Sequence, residues 1–149
     1  MLVQPAPKGG EPQALGWSRG GFSTKIHIAV DALGTPVDLI LTEGQAAGNP
    51  LAEALIEGTT PGHVIADKAY DADGAIEAIE KKGAKPVIPP KANRKHQREC
   101  DFTLYKERHL VECFIGKIKH FRRAFSRFDK LSTRFLSFLH FISVIIWLR

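Results

Sequence analysis

Between residues 105 and 119 the chain places Tyr105, Arg108, Glu112 and Lys119 at successive spacings of three, four and seven. At about 100° per residue, these four side chains gather within roughly 60° on one side of a helix. Leu110, Val111, Phe114, Ile118, Phe121 and Phe125 gather on the opposite side. A carboxylate therefore stands beside a phenol, a guanidinium and an ammonium. Glu112 and Arg108 satisfy a routine i, i+4 ion pair contributing about 0.2–0.5 kcal/mol. The alternative is a metal ligand. A second acid gives that alternative weight, because Asp67 directly follows the apolar run His63-Val-Ile-Ala66. Ligands of open α/β sheets collect at such strand ends. Two carboxylates from different elements can share a divalent cation, and magnesium takes few carboxylates, completing its shell with water and phosphate oxygens. Two such ions about 3.5–4 Å apart clamp an in-line attack on a phosphodiester.

These residues need a scaffold, and the hydrophobic pattern supplies one. Residues 1–23 are rich in Gly and Pro without periodicity and are expected to be irregular. Lys25 to Val30 alternates, with Ile26, Ile28 and Val30 on one face. Asp31-Ala-Leu-Gly34 reads as a turn, and Thr35 to Thr42 as a second strand completing an antiparallel hairpin. Asn49 and Pro50 can start a helix over Leu51 to Glu57. A buried strand at 63–66 leads to Asp67. Asp73 is expected to cap a helix closed by Gly83. Asp71 is assigned to the same turn. A short strand at 85–90 follows, then a polar basic loop from Lys91 to Cys100, a long helix from Leu104 to Phe125, and a final apolar helix. The order predicts a mixed α/β fold with a largely buried sheet.

Charge separates the two parts of the chain. Net charge is +5, yet Lys91 to Arg134 holds thirteen Lys and Arg against five acids, and the preceding residues hold seven against eleven. A basic stripe of this kind suits a polyanion, most simply nucleic acid, or a solvated surface. Arg94, Lys95, His96 and Arg98 add a basic loop able to touch phosphates. His27 points away from Ile26 and Ile28, to an exposed or helix-covered position. Trp147 reads as core, and Phe121, Phe125, Phe128, Phe135, Phe138 and Phe141 as packing between the last two helices. Cys100 and Cys113 lack metal-motif spacing and read as free thiols of a reducing cytosol. No signal-peptide pattern opens the chain. Phe135 to Leu148 is short for a span and interrupted by Ser137, His140 and Ser143, so a core helix is expected rather than a membrane anchor.

Tyr105, Arg108, Glu112 and Lys119 fit the Tyr-x2-Arg-x3-Glu-x6-Lys signature of DDE transposases of bacterial insertion sequences. Ala66-Asp-Lys-Ala-Tyr-Asp71 resembles the block around the second catalytic Asp of that family. Ser18-Arg-Gly-Gly-Phe-Ser-Thr-Lys-Ile-His27, Val30-Asp-Ala-Leu-Gly34 and Val87-Ile-Pro-Pro-Lys91 resemble linking segments of its insertion-sequence "five" group. The resemblance runs from about Gly16 onward. It implies a ribonuclease H-like mixed sheet with flanking helices over residues 24–149, and two Asp and one Glu holding two magnesium or manganese ions. By this resemblance Asp67 and Glu112 are catalytic metal ligands, Arg108 and Lys119 contact transposon-end phosphates, and Tyr105 positions that end. The implied partners are transposon-end and target DNA, with a homo-oligomer or an assembly with a missing N-terminal part, in the bacterial cytoplasm at the nucleoid.

One element of the pattern is absent. The family's first catalytic Asp lies on a first strand upstream of the Ser-Arg-Gly-Gly block, and Glu11 is the only acid upstream of Ser18. Asp31 matches the hairpin turn instead. The sequence resembles the C-terminal part of a transposase, lacking the first strand and first Asp. A second-frame product joined by frameshifting fits this pattern, and so does an inactive DNA-binding or regulatory remnant.

Overall fold

Alternation in the first third of the chain builds an antiparallel sheet in the order β1-β2-β3, from β1 (Gly16–Ser18), β2 (Gly21–Val30) and β3 (Pro36–Glu43). The computed structural model describes residues 13–18, 21–44 and 51–149; Glu11 and the expected cap Asn49 lie outside them. Thr24 pairs with Glu43, His27 with Ile40 and Ile28 with Leu39. The Asp31 carboxylate accepts the Leu33 and Thr35 amides at 2.8 and 2.9 Å, and Gly34 takes the positive φ of 78° that lets the turn close. The hairpin and its turn follow the sequence expectation. The irregular segment does not: β1 and the start of β2 fall inside residues 1–23, held by backbone pairing that no alternation advertises.

The middle of the chain is a smaller α/β unit. Here α1 (Leu51–Leu55), β4 (His63–Ile65), α2 (Asp73–Lys81) and β5 (Lys85–Val87) follow in order. Strands β4 and β5 pair in parallel and, among the described residues, form a sheet separate from β1-β2-β3. The single buried sheet expected from the sequence is thus two short sheets, and His63 on β4 is exposed. Ile56, Ile76, Ile79, Ala84 and Ile88 form its core, with Val64, Ala66 and Tyr70 packed against it.

The long helix expected over 104–125 is broken. Asp101 caps α3 (Phe102–Tyr105) by accepting the Thr103 and Leu104 amides, both at 3.0 Å. A 3₁₀ turn, Lys106–Arg108, leads into α4 (His109–Lys119), and a bend at 120–121 precedes α5 (Arg122–Phe125). Short 3₁₀ segments are common at helix ends, and this one tightens the join between α3 and α4. The last helix, α6 (Ser132–Trp147), runs close to its expected course. Its Phe135, Leu139 and Ile142 pack with Phe114 and Ile118 of α4 and Leu39 of β3 into the main core, which also receives Ile26, Ile28 and Val30. Fully burying a side chain such as Leu139 stabilises by about 1.5–3 kcal/mol. The aromatic expectations are corrected in part. Trp147 and Phe141 on α6 are 65% and 62% exposed, and Phe128, in the loop before α6, is 62% exposed, so these three do not pack between the last two helices. Among the described residues no helix is long and apolar enough to cross a membrane.

Candidate active site at the Asp67 turn and the Glu112 helix

Asp67 follows β4 and starts a one-turn 3₁₀ helix, Lys68–Tyr70. Its Oδ1 accepts the Ala69 amide at 3.0 Å, and its backbone oxygen accepts the Tyr70 amide at 2.9 Å. The side chain is exposed. The turn therefore fixes one carboxylate oxygen of an exposed side chain.

Glu112 lies in the first turn of α4. Its Oε1 accepts Arg108 Nη2 at 2.5 Å, and Arg108 in turn lies 5.8 Å from the centre of the Tyr105 ring. Burial pulls the Arg108 guanidinium down. The Glu112 hydrogen bond and the charges of Tyr105, Glu112 and Asp67 outweigh that pull and raise it above its ordinary value. Glu112 bonds this guanidinium directly, and the Asp67 charge is the weakest of the contributions to its shift. Tyr105, Arg108 and Glu112 form a contiguous group across the helix break. Lys119 is exposed near the end of α4, seven residues from Glu112 and about 10 Å along the axis.

The loop after β5 is arranged differently from its sequence reading. Asp71 is buried, its side chain fully covered, and it anchors the loop: Oδ2 accepts the Lys91 amide at 2.7 Å, both oxygens accept Arg94 Nε at 3.0 Å, and Arg98 Nη2 donates to Oδ1. Burial raises the Asp71 carboxyl, but the Lys91 amide and the Arg98 and Arg94 guanidiniums outweigh it and hold it below the usual range. Asp73 does not cap α2. Ala72 occupies that position without a side-chain bond, and Asp73 pairs with Arg94 Nη2 at 2.5 Å. Arg94 is therefore committed to two aspartates rather than free for phosphate, while Lys95 beside it is exposed. Nothing in the spacing of Asp71 signals this role. A carboxylate four residues beyond a strand-end acid looks the same whether it faces solvent or a pair of arginines.

His27 was a second site the sequence understated. It is buried, with Nδ1 2.7 Å from the Tyr70 hydroxyl and Nε2 2.9 Å from Thr42 Oγ1. Burial, helped by the Lys25 charge, lowers its pKa, favouring the neutral ring. The Tyr70 hydroxyl is pushed up by burial and by the Asp67 charge.

Exposed carboxylate oxygens are the donors that magnesium and manganese prefer, so Asp67 and Glu112 fit a hard divalent cation in chemistry. They are two, and among the described residues no group of three His, Cys, Asp or Glu side chains is placed to hold a metal.

The chain is a mixed α/β protein with Asp67 exposed after β4 and Glu112 exposed on α4. The family model described as "Transposase DDE domain" matches residues 4–146, and the chain belongs to that family. Within it, the chain is similar to two insertion-sequence proteins. It is 42% identical over 131 residues to a Brucella ovis protein described as a transposase for insertion sequence element IS6501, an alignment covering 86% of this chain and 100% of that protein. It is 33% identical over 119 residues to a Burkholderia cepacia protein described as a transposase for insertion sequence element IS402, covering 72% of this chain and 54% of that protein. No solved structure matches.

Proposed function

We propose that the chain is the C-terminal catalytic portion of an insertion-sequence transposase with a ribonuclease H-like architecture, acting on transposon ends and target DNA. The observation that carries this reading is the family match over residues 4–146, with Asp67 exposed on the turn after β4 and Glu112 exposed on α4 and bonded to Arg108. Asp67 and Glu112 are the ligands offered to magnesium or manganese. Held by these two carboxylates, such ions would supply an activated water or 3′-hydroxyl and charge neutralisation at the leaving oxygen. Arg108 holds Glu112 in place and would offer its remaining N–H groups to a DNA phosphate. Tyr105 stacks beneath it and orients the DNA end. Lys119 and Lys95, both exposed, contact backbone phosphates. Arg94 holds the loop to Asp71 and Asp73 and so presents Lys95 rather than binding DNA itself.

The third carboxylate comes from outside the described residues, in a preceding part or a partner subunit. With magnesium and DNA bearing the element's terminal repeats, the assembled transposase is expected to cut, and the 149-residue chain alone to bind without cutting. Cutting by this chain unaided would remove the need for an outside ligand and sink the reading. The contact role of Lys119 has a separate signature. Lys119→Ala is expected to lower the slope of log affinity against log salt by about one, with no change in sequence preference. A slope equal to wild type would remove Lys119 from the interface.

The absence of a third ligand group among the described residues favours one other reading, a non-catalytic DNA-binding or regulatory form. Adding the missing part in trans separates the two. Restored cutting supports the catalytic portion, and inhibition of an active transposase supports the regulatory form.

A further inference from the structure

Strand β2 has two faces with different duties. Its even residues, Ile26, Ile28 and Val30, join the main core that seats α4 through Phe114 and Ile118, and α4 carries Glu112. Between them His27 points the other way, is buried, and meets Tyr70, the last residue of the turn that Asp67 begins. The same strand thus touches the supports of both acids.

We propose that His27 and Tyr70 are positioning residues for Asp67, the Tyr70 hydroxyl locking the 67–70 turn to the strand that also seats the Glu112 helix. This rests on the reading of Asp67 and Glu112 as cation ligands. A phenylalanine at position 70 would fill the same space against Val64, Ala66 and the second core. What it would lack is the 2.7 Å bond that fixes how far the turn stands from β2. The ring pair meets edge to face at 88° with centroids 6.2 Å apart, so the hydroxyl reaches the imidazole edge rather than its face. His27 is itself held from the far side by Thr42 of β3 at 2.9 Å, which leaves the imidazole little rotational freedom. A polar pair in a covered position is costly unless each partner is satisfied, and here both are. The chain of bonds Thr42–His27–Tyr70 runs from β3 through β2 to the turn, and the turn's first residue presents the carboxylate.

The test uses paramagnetic broadening by Mn²⁺ of amide signals in the isotope-labelled chain, which reports cation binding directly and needs no catalytic turnover. In the wild type, Mn²⁺ is expected to broaden amides of residues 66–71 and 109–116 over the same range of concentration, and Asp67→Asn to move that range to much higher Mn²⁺. In Tyr70→Phe, the signals of 66–71 are expected to need about tenfold more Mn²⁺, the scale of one lost hydrogen bond in a covered site. His27→Asn, whose amide lies where Nδ1 was, is expected to keep near-wild-type sensitivity. His27→Gln, whose amide lies nearer the Nε2 position, is expected to behave like Tyr70→Phe. Undisturbed amide shifts in the main core show that each variant is folded. Wild-type Mn²⁺ sensitivity in folded Tyr70→Phe would overturn the positioning role while leaving the cation reading intact. No broadening at either acid in the wild type would overturn the cation reading and the inference with it.

Discussion

Glu112→Gln in the assembled transposase is expected to reduce both cutting and joining of transposon ends by at least about 100-fold, the lower bound set by what outer-shell changes already cost at metal sites. Binding to the same DNA is expected to persist. The substitution keeps the size of the side chain and removes its charge. Glutamine offers one neutral oxygen to a hard divalent cation in place of a carboxylate, which weakens the ligand without opening a cavity. The fold is expected to be indifferent, because the Glu112 side chain is 59% exposed and its pairing with Arg108 is an i, i+4 contact at the surface. The measurement is a strand-transfer assay beside a gel-shift titration on one preparation. Strand transfer at the wild-type rate would show that Glu112 is only the surface ion-pair partner of Arg108. Loss of DNA binding together with cutting would point instead to Arg108, released from its partner, as the affected group.

The largest expected effect on stability lies at Asp71. Replacing it by Ala leaves Arg94 and Arg98 facing a covered site without their carboxylate and the Lys91 amide without its acceptor. Breaking a buried pair by removing one partner costs about 3–5 kcal/mol, and urea unfolding of Asp71→Ala is expected to show a loss of that order. The cost includes the desolvation of what is left behind, so it exceeds the net worth of the pair. The pH dependence follows from the direction of the shift. The folded carboxyl titrates below its unfolded value, so the folded state releases its proton more readily. The stability it contributes is present above the ordinary carboxylate range and is lost as pH falls through the folded pKa. Wild-type stability should therefore fall more steeply than that of Asp71→Asn as pH drops from neutrality to about 3. Parallel curves would mean that Asp71 titrates alike in both states and that its arginines do not hold it.

The sequence was most legible where one periodicity ruled a whole element. Ile26, Ile28 and Val30 alternate, and β2 places them against the core; Asp31 and Gly34 are turn residues, and they make the turn. Asp67 at the end of an apolar run also has a structural use, since its side chain caps the 3₁₀ turn at 68–70. The break between α3 and α4 was hidden, because Lys106, Glu107 and Arg108 are good helix formers and a 3₁₀ turn asks for nothing different from them. Asp71 and His27 were hidden more deeply. Their roles depend on partners 20 to 27 and 43 residues away, and residue type alone does not say which polar group will meet which. Asp73 shows the converse error. A residue well suited to capping stood next to the right helix and was drawn to an arginine instead.

Arg127 also ties distant parts of the chain, and its consequence concerns synthesis. Its guanidinium bonds Gln13 and Ala14 carbonyls and the Thr24 hydroxyl, across 114, 113 and 103 residues, while Ser132 reaches Gln13 across 119. Contacts this far apart in sequence slow folding, because a long loop must close before they contribute. The ribosome has to reach Arg127 and Ser132 before the β1–β2 pair can be fastened from behind. Until then, the β2–β3 hairpin waits with its apolar face uncovered, and chaperone capture or nascent-chain aggregation competes with closure of the core.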